Sequence, residues 1–248
     1  MPLVGTRPVS AFDNGPLVTQ LGAEPWTLPG CGILQIMYEI DADAMTSLLP
    51  PALHPTIPPT VVLTVTNVPE SPAGAFVMAE AKIGSRSGAR PRGLLVSGFV
   101  STQAAADALA AHWGYPLNVA DVTLSKRYDR LVGKAVAGGS TVLDMTLLNP
   151  EPIAGNDIQY LANLNTARLQ KDGAEVPRLV QSDPEYSFRS ADRGKPELET
   201  FDAAAFGLAG AVPIFAVSAS YAVADIQMPE LRYLVDPSKS PIAAVERI

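Results

Sequence analysis

The chain has 248 residues, 47% of them apolar and only 17% charged, which describes a folded protein with a sizeable core and excludes a disordered one. Its 25 acidic side chains outnumber the 18 basic ones, for a net charge of −7. With no basic run longer than RYDR (127–130), that balance argues against nucleic acid and against an anionic membrane as partners.

In chain order, residues 1–30 carry proline and glycine without a clear period and read as an irregular arm. GILQIMYEI (32–40) predicts a strand, and Asp41 then caps a short helix that Pro50 and Pro51 stop. PTVVLTVTNV (59–68), GAFVMAEAKIGSR (74–86) and RGLLVSGFV (92–100) predict three further strands. In the second of these, Phe76, Met78, Glu80 and Lys82 share one face, and Val77, Ala79, Ala81 and Ile83 the other. Ser101 or Thr102 caps a helix reaching about Ala111, with Ala105, Leu109 and Trp113 as its buried stripe and Gly114 as its stop.

Residues 119–136 and 140–149 continue as strands, and IQYLANLNTARL (158–169) fits strand or helix equally. Residues 175–198 read as strand with turns, followed by a short apolar helix near 202–209 and a last strand from about 214 to 227. The 23 prolines suit this series of short strands and turns. The expected fold is mostly β (α+β): an antiparallel cone or barrel with a few short helices in one domain, 1–248. Closure is expected because it removes sheet edges.

Several kinds of chemistry have no motif here. The chain holds no GxGxxG, no P-loop and no GxSxG; GSRSG (84–88) puts arginine where a nucleophile would stand. His54, His112 and Cys31 cannot make a usual zinc site by themselves, so no metal and no cofactor is expected. One cysteine excludes an internal disulfide. The apolar stretch 206–225 is broken by Gly207, Gly210 and Pro213, and the first ten residues lack a signal-peptide core. A cytoplasmic location is the resulting expectation.

Four stretches, in order, resemble the acetoacetate decarboxylase family. They are PWTLPGCGILQIMYEIDADAMTSLLPPAL (25–53), GYP (114–116), PRLVQSDPEYSFRSADRGKPELETF (177–201) and VPIFAVSASYAVADIQMP (212–229). The resemblance spans roughly residues 25–235 and implies a β-cone around a buried apolar pocket, usually in a homo-oligomer. It also implies a lysine amine that forms a Schiff base with a β-keto acid, the imine serving as electron sink when carbon dioxide leaves. That amine needs a depressed pKa, which desolvation and an adjacent cation supply. Carried over by position, the family's lysine pair falls on Ala111 and His112 and its first-strand arginine on Cys31. Its pocket carboxylates fall near Thr64 and near Met78 or, after a two-residue slip along the same face, Glu80.

The candidate catalytic residues are therefore His112, Glu80 and Lys82. Histidine at the end of a helix acts as an acid or base near pH 7, or merely terminates the helix. Glu80 and Lys82 stand about 6.6 Å of rise apart on one strand face; beside Phe76 and Met78 that face points inward, whereas on the surface the two would be a weak ion pair. Lys126, next to Arg127, and Lys134 are alternative amines. Candidate substrate-binding residues are Trp113, Tyr115, Met78, Phe76, Cys31 and Arg92.

Three functions follow. The first is an enzyme that acts on a small enolisable keto or hydroxy acid by acid–base chemistry: dehydration, hydration, cyclisation or a carbon–carbon lyase step. The second is a β-keto acid decarboxylase whose lysine has moved to Lys82. The third is a non-catalytic binder of a small ligand. In each case the expected partner is a small molecule.

Overall fold

A computed structural model of the chain describes residues 3–88 and 90–248. Its strands are β1 (Trp26–Glu39), β2 (His54–Pro55), β3 (Thr60–Val68), β4 (Phe76–Ser87), β5 (Arg90–Val100), β6 (Leu117–Val119), β7 (Asp121–Lys126) and β8 (Arg130–Ala137). They continue as β9 (Ser140–Pro152), β10 (Ala162–Lys171), β11 (Ala174–Ser182), β12 (Glu185–Phe201), β13 (Phe215–Met228), β14 (Tyr233–Val235) and β15 (Val245–Arg247). Two α-helices interrupt them, α1 (Ala42–Leu48) and α2 (Gln103–Trp113). No helix among the described residues is long and apolar enough to cross a membrane.

All strands join one sheet in the order β15-β14-β11-β10-β5-β4-β3-β1-β13-β12-β9-β8-β7, with β2 on β4 and β6 on β5. Pairing is antiparallel except β10 with β5 and β5 with β6. The hydrogen-bonded order has two ends and does not close. Instead the sheet coils until β7 lies against β3, β4 and β5. Closure is dispensable because the end strands are short and carry charge: β15 has three residues, and β7 runs from Asp121 to Lys126.

The central strands β1, β3, β4 and β5 are covered on both faces. On one face Leu34, Ile36, Leu63, Val65, Ala79, Ala81, Ile83 and Leu94 belong to the main core. On the other, Cys31, Ile33, Phe76, Leu95 and Val100 pack with Ala105, Leu109 and Trp113 of α2. The i, i+4, i+8 stripe thus seats this helix on the second face. Thr102 caps its start by accepting from the Ala105 amide (3.3 Å). Gly114, at φ +66°, ends it in a left-handed conformation, and a Cβ there would stand 2.7 Å from that of Ala167.

Two sequence expectations are corrected. The first strand begins at Trp26, not Gly32, because a bulge carries the ladder across Pro29–Gly30: Leu28 pairs with Ile226 and Cys31 with Ala224. Gly30 adopts φ +63°, and its amide donates to Asp225 Oδ1 at 2.8 Å. Residues 202–209 form turns, not a helix. Asp202 accepts from the Ala204 and Ala205 amides as a helix cap would, but Gly207 at φ +69° ends the segment before a second turn. From Ala162 onward the ambiguous 158–169 stretch resolves as strand, β10, whose residues 163–171 pair with β11.

Candidate active site

The second face of the sheet carries a row of polar side chains through its centre. Gln35 on β1 pairs in register with Thr64 on β3, and Thr64 with Glu80 on β4. Alternation then places Ile33, Thr66 and Met78 in one neighbouring row and brings Lys82 to the same face two residues beyond Glu80. Across from β4, Glu80 pairs with Gly98 and Lys82 with Leu95, so β5 holds one more residue than β4 between the two charged positions. This bulge increases the local twist where the pair stands.

Both charged side chains are buried: Glu80 is 3% exposed and Lys82 4%. Lys82 Nζ stands 3.7 Å from Glu80 Oε2. Asn163, brought in by the parallel pairing of β10 with β5, bridges them. Lys82 Nζ donates to Asn163 Oδ1 (3.0 Å), and Asn163 Nδ2 donates to Glu80 Oε1 (2.9 Å). The three form a closed triangle in which each charge has a neutral dipole as well as its counter-ion, the condition under which a buried pair is tolerated. The Lys82 stem passes over Gly93, where a Cβ would lie 2.9 Å from Lys82 Cβ and 3.0 Å from Cδ. Glycine at that position is what leaves room for the amine to reach Asn163.

The triangle borders a cavity of about 30 Å³, room for roughly two waters. Leu28, Ile33, Met78, Ile226 and Met228 supply its apolar wall, and Gln35, Thr64, Thr66, Tyr115, Tyr160 and Tyr186 its neutral polar groups. Tyr115 follows the end of α2, and its hydroxyl lies among Ser182, Asn163 and Asn165. Asn165 fixes that helix end by donating to the Trp113 carbonyl (2.9 Å). Burial first, and the Glu80 carboxylate second, push the Tyr115 phenol up; burial likewise raises Tyr186 and Tyr160. All three therefore remain protonated donors across the physiological range. Gln35 also borders a larger open hollow of about 710 Å³ and donates to the Gln159 carbonyl (3.1 Å), so it separates the cavity from that hollow.

Of the residues named from sequence, the structure brings Glu80, Lys82, Met78 and Tyr115 to this cavity. His112 is not among its lining residues. Its ring lies 5.3 Å from that of Trp26 and 5.2 Å from that of Trp113, and burial lowers its pKa. Trp26, contributed by the unexpected early part of β1, packs against it edge to face. Trp113, Phe76 and Cys31 share a core cluster with the cavity wall but do not line it. Trp113 Nε1 donates to the Pro229 carbonyl (2.7 Å). The Cys31 thiol, fully buried, is pushed up to about 12, chiefly by desolvation. Arg92 pairs through two nitrogens with Asp183 and borders a separate hollow with Arg90 and Arg232. Lys126 lies over the Tyr221 ring, and Lys134 pairs with Asp144.

Asn163, Tyr160 and Tyr186 were missed from sequence. The alternate amides of ANLNTA were the available signal for Asn163, and the helix–strand ambiguity of that stretch concealed it. Among the described residues, no three His, Cys, Asp or Glu side chains are grouped to hold a metal ion.

The acetoacetate decarboxylase family model matches residues 14–238. Solved structures with the same fold include an acetoacetate decarboxylase from Legionella pneumophila, 21% identical, with a TM-score of 0.75 over 84% of this chain and 86% of that one. A second acetoacetate decarboxylase structure is 19% identical, with a TM-score of 0.75 over 92% and 91% of the two chains. The enduracididine biosynthesis enzyme MppR, bound to the condensation product of pyruvate and imidazole 4-carboxaldehyde, is 17% identical, with a TM-score of 0.70 over 88% and 92%. At these identities the likeness is one of fold. No curated protein matches the sequence.

Proposed function

The chain belongs to the acetoacetate decarboxylase family, and on that premise we propose that it is an enzyme acting on a small carbonyl compound, an oxo acid in the first instance, through an imine formed at Lys82. One observation carries this reading. The amine that shares a small cavity with a carboxylate is Lys82, whereas the positions of the family's lysine pair hold Ala111 and His112, neither of which lines the cavity. Histidine cannot form an imine, so the acid–base reading that joined His112 to Glu80 loses one of its two groups. The amine reading keeps both of its own.

The chemistry follows from the triangle. Glu80, 3.7 Å away, is placed to take a proton from the Lys82 ammonium, and the free amine so formed attacks the substrate carbonyl. Addition to the carbonyl carbon gives a carbinolamine. Return of that proton to its hydroxyl releases water and leaves a protonated imine facing the Glu80 carboxylate. With a carboxylate β to the imine carbon, the electrons of the breaking carbon–carbon bond enter the C=N unit, and carbon dioxide and an enamine form. A proton from solvent then adds to the enamine carbon, and water hydrolyses the imine with Glu80 as base. Asn163 keeps the amine and the carboxyl at fixed separation throughout, and the apolar wall excludes bulk water.

Reversible imine formation exchanges a ketone oxygen with water. Pyruvate in ¹⁸O-water should exchange faster with the protein than in buffer alone, and Lys82→Met should return the rate to that of buffer. Exchange that persists in Lys82→Met would remove this reading.

A further inference from the structure

We infer that the hydroxyls of Thr64 and Tyr160 hold a second oxygen of the ligand, so that the cavity takes a short carbonyl compound bearing an additional hydroxyl or carboxylate oxygen. The inference rests on the Lys82 reading and specifies the ligand of that site.

Thr64 stands directly across from Glu80 on β3 and is 4% exposed. Its hydroxyl is buried with no partner among the described residues. The surrounding strand is TVVLTVTNV, where valine would keep the shape and serve the β-ladder equally well. Tyr160 repeats the pattern. Its ring packs at 4.7 Å from Tyr186 and 5.9 Å from Phe188, contacts phenylalanine would also make, while its hydroxyl is buried with no protein partner among the described residues. An unmatched buried hydroxyl opposes folding. Two such groups line the cavity that Lys82 borders.

Charge narrows the ligand further. Glu80 and Lys82 are the charged residues among the cavity lining, and they cancel. Thr64 and Tyr160 offer neutral donors, and burial of the Tyr160 phenol keeps its proton in place. With no surplus cation, the site does not suit a phosphate or a dicarboxylate, whose extra charge would be buried unpaired. It suits one further oxygen, held by donors that add no charge.

The test compares three probes by borohydride trapping on Lys82: pyruvate, with a carboxylate; hydroxyacetone, with a neutral hydroxyl; and acetone, with no second oxygen. For Thr64→Val and for Tyr160→Phe, preference for an oxygenated probe over acetone, taken from half-saturating concentrations, should fall about tenfold, the loss of one hydrogen bond. A fall confined to pyruvate identifies a carboxylate ligand, and one confined to hydroxyacetone a neutral one. The unliganded variants should melt no lower than the parent, because each loses a hydroxyl with no protein partner among the described residues. Unchanged preference, or a melting point lowered by several degrees, overturns the inference. Should the parent form no adduct, the Lys82 reading fails. The hydroxyls are then judged by thermal stabilisation with the same probes, which must weaken in Thr64→Val and Tyr160→Phe for pyruvate or hydroxyacetone.

Discussion

Replacing Lys82 by methionine keeps most of its length and removes its charge, which leaves Glu80 3% exposed with Asn163 as its remaining polar contact. Breaking a buried pair from one side costs about 3–5 kcal/mol, because the remaining charge is neither solvated nor matched. At about 2–4 °C per kcal/mol for a chain of this size, Lys82→Met should melt about 10 °C lower than the parent. Glu80→Gln should cost a similar amount by stranding the ammonium. The double variant has no charge left to strand, so it should fall short of the summed cost by about 3 kcal/mol. Urea unfolding of the four proteins, followed by tryptophan fluorescence, gives the cycle directly. Additivity of the two single effects to within about 0.5 kcal/mol would refute the closed triangle as the organising feature of the site.

Three further outcomes follow from the same geometry. Gly93→Ala places a methyl 2.9 Å from Lys82 Cβ, so borohydride trapping with pyruvate should fall at least tenfold while melting drops by a few degrees, as overpacking of about 1–3 kcal/mol requires. Burial lowers the pKa of His112 in the folded chain below its value near 6.5 in the unfolded one, so its contribution to stability is present above that pH and is lost as the pH falls through it toward the folded value. His112→Gln should therefore narrow the difference in melting point between pH 8 and pH 5. Cys31, with its thiol near 12, should resist iodoacetamide at pH 8 in the folded protein and react promptly in urea.

The centre of the candidate site was legible in a few residues of one strand. In FVMAEAK, two charges alternate with apolar residues on a face that also carries Phe76 and Met78, and a strand period of two cannot place them apart. The end of α2 was equally plain, since Ala105, Leu109, Trp113 and Gly114 specify a buried stripe and a left-handed stop. What the sequence concealed is non-local. Asn163 reaches Glu80 from 83 residues away through a parallel pairing that no local pattern encodes. The direction of His112 depends on Trp26, which reads as part of an irregular arm until the bulge at Gly30 and the acceptor at Asp225 extend β1 backwards. The sheet remains open where closure was expected, because sequence pattern reports strands but not whether the last one meets the first.

The most direct test of the account is to locate the adduct. The protein is reduced with borohydride in the presence of pyruvate, digested and mapped by mass spectrometry. One modified lysine, Lys82, is expected, with no modification of that peptide when pyruvate is omitted. An adduct on Lys126 or Lys134, or none with pyruvate or acetoacetate at saturating concentration, would contradict it.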